Sequence, residues 1–210
     1  MRALLFDVFG TCVDWRGSVE RELARRGLPI ELAVAWRAQY QPQMETVRAG
    51  ARPWTTLDVL HREALDGLVS VEDPDELTRV WHRLDPWPDT VEGLTRLKRK
   101  YVIAPCSNGH IALLVNMAKY AGLPWDAILG AEVAHAYKPQ PAAYLGSVSA
   151  LGLSPGEVVM VAAHNGDLAA AARCGLRTAF VPRPTEDTEP TADWDIVATD
   201  FLDLATQCGA

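Results

Sequence analysis

The chain lacks the sequence features that mark several classes of protein. Only four cysteines occur in 210 residues, and no two of them form a C-x-x-C pair, which disfavours a metal knuckle or a redox dithiol and fits a reducing compartment. No apolar run reaches the roughly eighteen residues of a spanning helix, and no signal peptide pattern follows Met1. The net charge is −7, and the lysine and arginine residues form no cluster along the sequence. We therefore expect a cytoplasmic protein that binds neither nucleic acid nor a membrane surface.

The second half of the chain alternates between two kinds of apolar pattern. Runs typical of buried strands lie at 101–106, 127–129, 158–162, 178–181 and 196–197. Segments with helical spacing of apolar residues lie at 91–99, 111–121, 142–151 and 168–174. Because strands that alternate with helices form parallel sheets with right-handed crossovers, the pattern predicts an α/β fold with a doubly wound parallel sheet. The stretch 182–190, rich in proline, threonine and glutamate, is expected to be a surface loop.

The region from residue 15 to residue 84 differs because its patterns are helical throughout. Amphipathic segments lie at 18–26, 31–48, 57–69 and 75–84. Pro42 must break or kink the second of them. The segment 85–89 contains two prolines and is expected to be a hinge. The sequence therefore predicts a helical insertion directly after the first strand.

The first strand ends at a lone acid. The apolar residues 3–6 lead to Asp7, and Gly10-Thr11 then turns the chain away. Ligands bind beyond the carboxyl ends of parallel strands, so Asp7 is either placed for chemistry or merely caps the turn. The stretch resembles the nucleophile motif of the haloacid dehalogenase superfamily, an aspartate followed shortly by Gly-Thr. The resemblance implies that the helical insertion is a cap over the site.

Two further strand ends carry polar residues of the types that the superfamily uses. Ser107 and Asn108 follow the strand 101–106 and precede a helix, so they form an anion site, a helix cap, or both. They resemble the second motif of the superfamily. Lys138 precedes a proline and a helix, and is either solvated or a cation that keeps Asp7 ionised. The superfamily places its lysine at this point of the chain.

The last motif departs from the pattern of superfamily phosphatases. Asp167 lies eight residues before Gly175, as the second acid of their Mg²⁺ pair does, but the first acid falls on Ala163. Those phosphatases also carry an acid two residues after the nucleophile, which protonates the leaving alkoxide. This chain has Phe9 there. Because a halide leaves without a proton, and because one Mg²⁺ ligand is lost, both departures favour carbon–halogen cleavage with no metal and no cofactor.

Taken over its whole length, the chain resembles the type II, L-2-haloacid dehalogenase branch of the superfamily. That branch has a helical cap and an aromatic residue at the position of Phe9. The resemblance implies a Rossmann-like core formed by residues 1–14 and 88–210, and a cap formed by residues 15–87. It also implies a 2-haloacid and water as the reactants, and it makes a homodimer an expectation.

The resemblance assigns roles in the release of halide. In the branch, an arginine that follows a tryptophan in an early cap helix binds the halide or the substrate, and Arg37 follows Trp36. From the residues alone, Arg37 reads as a solvated helix residue, and Arg48 and Arg52 are alternatives for the role. Asn108 is the second group that the resemblance assigns to the halide.

The mechanism that the resemblance implies has two steps. Asp7 displaces the halide with inversion at carbon and forms an aspartyl ester. Water then attacks the ester and releases a 2-hydroxy acid. The resemblance also assigns substrate binding near Phe9 to Thr11 and Ser107, and it assigns a supporting positive charge to Lys138. Asp167, with His164 or Asn165, would position or deprotonate the water. A lone histidine after a strand is either a base or a structural residue, and for His164 both readings stay open.

Two other functions remain as alternatives. One is a phosphatase that uses an atypical acid, and the other is a catalytically silent member that binds a ligand in the crevice. The aromatic residues Trp15, Tyr40 and Trp54 form either a wall of the pocket or part of the core. Four histidines show no ligand spacing and receive no role: His61, His82, His110 and His135.

Overall fold

The computed structural model describes residues 1–210. Its strands are β1 (Ala3–Phe6), β2 (Val13–Asp14), β3 (Asp85–Pro86), β4 (Val102–Pro105), β5 (Val158–Ala162), β6 (Arg177–Phe180) and β7 (Ile196–Val197). Five of them form one parallel sheet in the order β4-β1-β5-β6-β7. The predicted doubly wound parallel sheet is therefore confirmed.

The helices fall into two groups along the chain. The first group is α1 (Trp15–Arg25), α2 (Leu32–Ala38), α3 (Tyr40–Arg48), α4 (Leu57–Leu68) and α5 (Pro74–Thr78), followed by a 3-10 turn at Arg79–His82. The second group is α6 (Thr90–Lys98), α7 (Ile111–Ala121), α8 (Ala131–Ala134), α9 (Pro141–Ala150), α10 (Asn165–Arg173) and α11 (Phe201–Gln207). We call the first group the cap and the sheet with the second group the core. No helix combines the length and the apolar character that a bilayer span requires.

The strand β1 lies between β4 and β5 in the sheet, and both of its faces are covered. Leu4 and Phe6 belong to a cluster of 40 buried residues that includes Phe201 of α11. Ala3 and Leu5 belong to a second cluster, of 15 residues, on the other face. A strand buried on both sides needs apolar residues at every position rather than at alternate ones. This is why β1 reads as a continuous apolar run that ends at Asp7.

A short ribbon joins the cap to the core. The strands β2 and β3 are antiparallel and pair Val13 with Pro86 and Asp14 with Asp85. The carboxylate of Asp14 then accepts a hydrogen bond of 2.9 Å from the Gly17 N–H and caps α1. The chain therefore leaves the core and returns to it at one place, within a few residues of the nucleophile loop.

Three details of the sequence prediction are wrong. Residues 127–129 form no strand; only an isolated bridge joins Ser107 to Gly130 before the chain turns into α8. The break in the helix predicted for residues 31–48 lies at Gln39 rather than at Pro42. Pro42 lies in the first turn of α3, where a missing N–H costs no hydrogen bond. The third error, in the loop 182–190, concerns the site itself.

Candidate active site

The predicted nucleophile lies directly after β1 at the bottom of a cleft between the core and the cap. Asp7 is 6% exposed. Its Oδ2 accepts hydrogen bonds from the Thr11 hydroxyl at 2.7 Å and from His164 Nδ1 at 3.0 Å, and its Oδ1 lies 2.9 Å from Lys138 Nζ. Burial alone would raise the pKa of this carboxyl, but Lys138 and His164 hold it well below its usual range. The carboxylate is therefore ionised and held in one orientation, as a nucleophile requires.

Lys138 lies between two carboxylates. Its ammonium contacts Asp7 at 2.9 Å and Asp167 at 2.5 Å, and its backbone N–H donates to Asn108 Oδ1 at 2.7 Å. Burial opposes the charged form, but the two acids raise the pKa of Lys138 well above its ordinary value. The lysine consequently stays protonated, which suits it to balancing negative charge rather than to transferring a proton.

A tyrosine that the sequence analysis did not assign completes this network. The Tyr144 hydroxyl donates to Asp167 Oδ1 at 2.5 Å. Burial and the negative charge of Asp167 raise the pKa of Tyr144 far above its ordinary value, so the phenol is a hydrogen-bond donor throughout the working pH range. The only signal in the sequence is its place in the helix that follows Lys138. There a tyrosine among apolar residues reads as part of the core.

His164 bridges Asp7 to a residue of the loop that was predicted to lie at the surface. His164 Nε2 lies 2.8 Å from Glu186 Oε2, and Glu186 Oε1 accepts a hydrogen bond of 2.7 Å from the Trp15 indole. The prediction of a surface excursion for residues 182–190 is therefore wrong at Glu186. Although burial opposes the charged form, hydrogen bonds to Asp7 and Glu186 raise the pKa of His164 to about 10. Near neutral pH this side chain is therefore an imidazolium.

Three other predicted residues lie near Asp7 but do not line the cleft. Thr11 donates to Asp7, and its oxygen accepts the Ala163 N–H at 3.0 Å. The Ser107 hydroxyl accepts the Gly109 N–H at 3.1 Å inside the turn. Asn165 points to the loop instead, where its side chain contacts Asp187, the Glu189 carbonyl and the Trp194 indole, each at 2.9 Å.

The cap contributes one unpaired cation to the cleft. The Arg37 guanidinium lies 3.9 Å from the centre of the Tyr40 ring, 5.3 Å from that of Trp15 and 5.7 Å from that of Phe9. Its Nη1 is buried and has no hydrogen-bond partner. A buried donor of this kind is costly unless a ligand satisfies it. The position is therefore suited to an anion.

The two alternative arginines have protein partners. Arg48 lines the cleft, but its guanidinium donates to the Lys138 carbonyl at 2.9 Å and to Glu45 at 2.8 Å. Arg52 forms an ion pair with Glu63 at 2.8 Å. Arg37 is thus the arginine whose donor is left for a small molecule.

The aromatic residues divide between wall and core. Phe9 and Tyr40 line the cleft, whereas Trp15 and Trp54 do not. Trp54 stacks on His135 with the ring centres 5.4 Å apart. The cleft has a volume of about 850 Å³ and is open at one side. Its lining comes from the ends of β1 and β4, from α2 and α3 of the cap, and from α9 and α10.

The chain is similar over most of its length to proteins of known family. The family model for haloacid dehalogenase-like hydrolases matches residues 1–175. The (S)-2-haloacid dehalogenase 4A of Burkholderia cepacia is 31% identical over 194 residues, which are 87% of this chain and 84% of that protein.

Two solved structures share both the fold and much of the sequence. A defluorinating L-2-haloacid dehalogenase is 49% identical, with a TM-score of 0.94, and the match covers 100% of this chain and 96% of that one. A second L-2-haloacid dehalogenase is 46% identical, with a TM-score of 0.95 and 99% of both chains covered. Together with the family match, these similarities establish that the chain belongs to the haloacid dehalogenase-like hydrolase family.

Proposed function

We propose that the protein hydrolyses short (S)-2-haloalkanoic acids to 2-hydroxy acids through an ester on Asp7 and without a metal ion. The observation that carries the proposal is the pairing of an ionised Asp7 with the partnerless Arg37 across the cleft. The first is a nucleophile and the second a site for an anion. The relatives named above, which are haloacid dehalogenases, support the same reaction.

In the first step a carboxylate oxygen of Asp7 forms a bond to the carbon that carries the halogen, and the halide leaves with the electrons of its bond. No proton is needed. Arg37 receives the halide, together with the Asn108 amide, whose oxygen is already engaged by the Lys138 N–H. Preorganised donors in an apolar surrounding stabilise such developing charge strongly. Phe9 and Tyr40 supply that surrounding.

In the second step water attacks the carbonyl carbon of the ester. The bond between that carbonyl carbon and the ester oxygen breaks, so the 2-hydroxy acid leaves with an oxygen that came from Asp7, and Asp7 is regenerated with an oxygen from water. We assign the removal of the water proton to His164. Esterification removes the Asp7 charge that favours the imidazolium, so the pKa of His164 falls, the ring loses its proton to solvent, and the neutral ring becomes available as a base. The same proton can then pass to the leaving oxygen.

The absence of a metal requirement is supported by the position of Lys138. Its ammonium lies between Asp7 and Asp167, the two carboxylates that would otherwise bind Mg²⁺. The position of the missing acid is Ala163, which is fully buried and offers no ligand. A phosphatase would also need an acid at Phe9. These three features together disfavour the phosphatase alternative.

The test is halide release from the separate enantiomers of 2-chloropropionate, with chloroacetate, fluoroacetate and an aryl phosphate in parallel. We expect halide from the S enantiomer and from a haloacetate, no phosphate from the ester, and a rate that EDTA changes by less than about twofold. Defluorination is included in the experiment because one of the similar structures is that of a defluorinating dehalogenase. Phosphate release with no halide, or strong inhibition by EDTA reversed by Mg²⁺, would overturn the proposal.

A further inference from the structure

A second group of polar side chains lies between the cap and the core, outside the cleft. It consists of Asp58 on α4, His82 in the 3-10 turn after α5, and His110 directly before α7. One ligand atom of each lies within 4.8 Å of the others, and both histidines are buried. We call these three residues the Asp58 cluster. None of them lines the cleft that contains Asp7.

We propose that the Asp58 cluster binds a divalent transition-metal ion of the zinc type, which fastens the cap to the core. His82 Nε2 lies 2.8 Å from Asp58 Oδ1, and His110 Nε2 lies 3.3 Å from Asp58 Oδ2. Ligands at about 2.0–2.2 Å from a tetrahedral zinc ion are about 3.3–3.6 Å apart. Asp58 already lies at or below this separation from each histidine, and the three ligand atoms all lie within 4.8 Å of one another, so one ion can bind after local movement of the side chains, with water in the fourth position.

The orientation of His82 favours ligation through Nε2. Its Nδ1 lies 3.0 Å from the side-chain amide of Asn116 on α7. A histidine that binds a metal through one nitrogen usually donates its other N–H to an acceptor. The amide of Asn116 can present its oxygen in that place by rotating about its terminal bond. Asn116 would thus fix the ring with Nε2 directed at Asp58.

The charges that face the cluster permit a cation. Arg79 and Arg83 border its opening, but Glu76 lies 3.6 Å from the first and 2.7 Å from the second. Asp58 forms no ion pair with an arginine or a lysine, and its only charged or polar side-chain partners are His82 and His110. His61 adds no charge, because burial lowers its pKa to about 3. The negative charge of Asp58 is therefore available to the ion.

The ion would join two elements of the cap to one of the core. Asp58 and His82 belong to the cap, and His110 lies two residues after Asn108. Binding would therefore stabilise the contact between cap and core without placing the ion among the reacting groups. The site is independent of the proposed dehalogenase chemistry.

The experiment uses the full chain freed of metal by a chelator and titrated with Zn²⁺. We expect one ion per chain by calorimetry and a rise in the melting temperature of about 5 °C at saturation. Co²⁺ in place of Zn²⁺ should give the visible bands of a four-coordinate site. The affinity for Zn²⁺ should fall at least about 100-fold in His82→Gln and in His110→Gln.

The variants have controls for folding and for adventitious binding. His135→Gln removes a histidine that stacks on Trp54 outside the cluster, and it should bind Zn²⁺ as the wild type does. Asp58→Asn keeps the shape of the ligand while removing its charge, so it should remain folded and still lose affinity. Equal Zn²⁺ binding in wild type and in Asp58→Asn, or no shift in melting temperature and no Co²⁺ bands in the wild type, would overturn the proposal.

Discussion

The core side and the cap side of the cleft hold their charges in opposite ways. On the core side, Lys138 joins Asp7 to Asp167 in one hydrogen-bonded network, so each charge has a partner. On the cap side, the Arg37 guanidinium lies on aromatic rings, and its buried Nη1 has no partner. The difference teaches that the charges on the core side already have partners within the protein, whereas the cap side keeps a free donor that the anion of the proposed reaction would satisfy.

The surrounding aromatic rings explain how the cap can bury the Arg37 guanidinium without an acidic partner. Tyr40 presents its ring face to Arg37 at 3.9 Å, which offsets part of the lost hydration. Trp81 supports this wall from behind, and its ring centre lies 6.3 Å from that of Phe9. In a surrounding of low polarity the remaining charge acts strongly on a ligand. An unpaired buried donor still costs about 1–3 kcal/mol, which binding of an anion would recover.

The largest effect is expected on the core side, from Asp7→Asn. The amide is not a nucleophile, so halide release should fall at least about 1,000-fold. Mass spectrometry of wild-type enzyme quenched during turnover should reveal the ester on Asp7, and the variant should not form it. Asp66→Asn, which alters an exposed ion pair with Arg62 on α4, should leave the rate unchanged. An active variant that has not deamidated would remove Asp7 from the mechanism.

The variant Lys138→Met tests whether the core network supports both stability and chemistry. Removing the ammonium leaves Asp7 and Asp167 as buried like charges. Breaking a buried ion pair in this way costs about 3–5 kcal/mol of unfolding free energy. We expect the rate of halide release to fall at least about 100-fold and the urea midpoint to fall with it. A variant as stable as the wild type would contradict the description of the core as a closed network.

The variant Arg37→Met should separate the two properties that Lys138→Met combines. Loss of the anion donor should lower kcat/KM about 100-fold. The free energy of unfolding should change by less than about 1 kcal/mol, because the guanidinium nitrogen Nη1 has no partner to lose. Arg37→Lys, which keeps the charge but not the geometry, should lie between wild type and Arg37→Met in rate. A large loss of stability in Arg37→Met would show that the guanidinium already makes stabilising contacts within the protein, as the charges on the core side do.

The sequence predicts the parts of this structure that depend on local patterns. The helix α7 was predicted with its observed ends, because an apolar helical pattern ends at Gly122, which adopts a φ of 70°. The prediction of β5 at residues 158–162 was also correct, since a central strand is apolar at each position. The expectation that Lys138 lies beside Asp7 came from the resemblance to the superfamily, because the residues alone left a solvated lysine open.

The same local patterns could not predict contacts between segments that are far apart in the sequence. Glu186 lies in a loop rich in proline, where the composition predicts exposure, and only tertiary folding brings it to His164. Asn165 was predicted to act on water beside His164, but it anchors that loop through Asp187. Periodicity reports which side of an element is buried. It does not report which polar group will meet which other.

The smallest effect is expected where the loop touches the core network, in Glu186→Gln. Glu186 helps to raise the pKa of His164 to about 10, so its loss should lower that pKa toward the ordinary value. A raised pKa means that the charged histidine stabilises the fold at pH below about 6.5 and that this contribution disappears as the pH rises through about 10. In the variant the alkaline loss of stability should therefore begin at lower pH, as thermal melts between pH 6 and pH 11 would reveal.

The same substitution should also change the pH dependence and the maximal value of kcat. Hydrolysis of the ester needs the neutral ring of His164, so the acid limb of the kcat profile should move to lower pH in Glu186→Gln. A weaker base should also lower the maximal kcat by about 10-fold. Glu189→Gln, three residues along the same loop and exposed, is the matched control and should behave as the wild type. A profile that shifts equally in both variants would mean that the loop acts through its overall charge. The contact with Glu186 would then make no specific contribution to the pKa of His164.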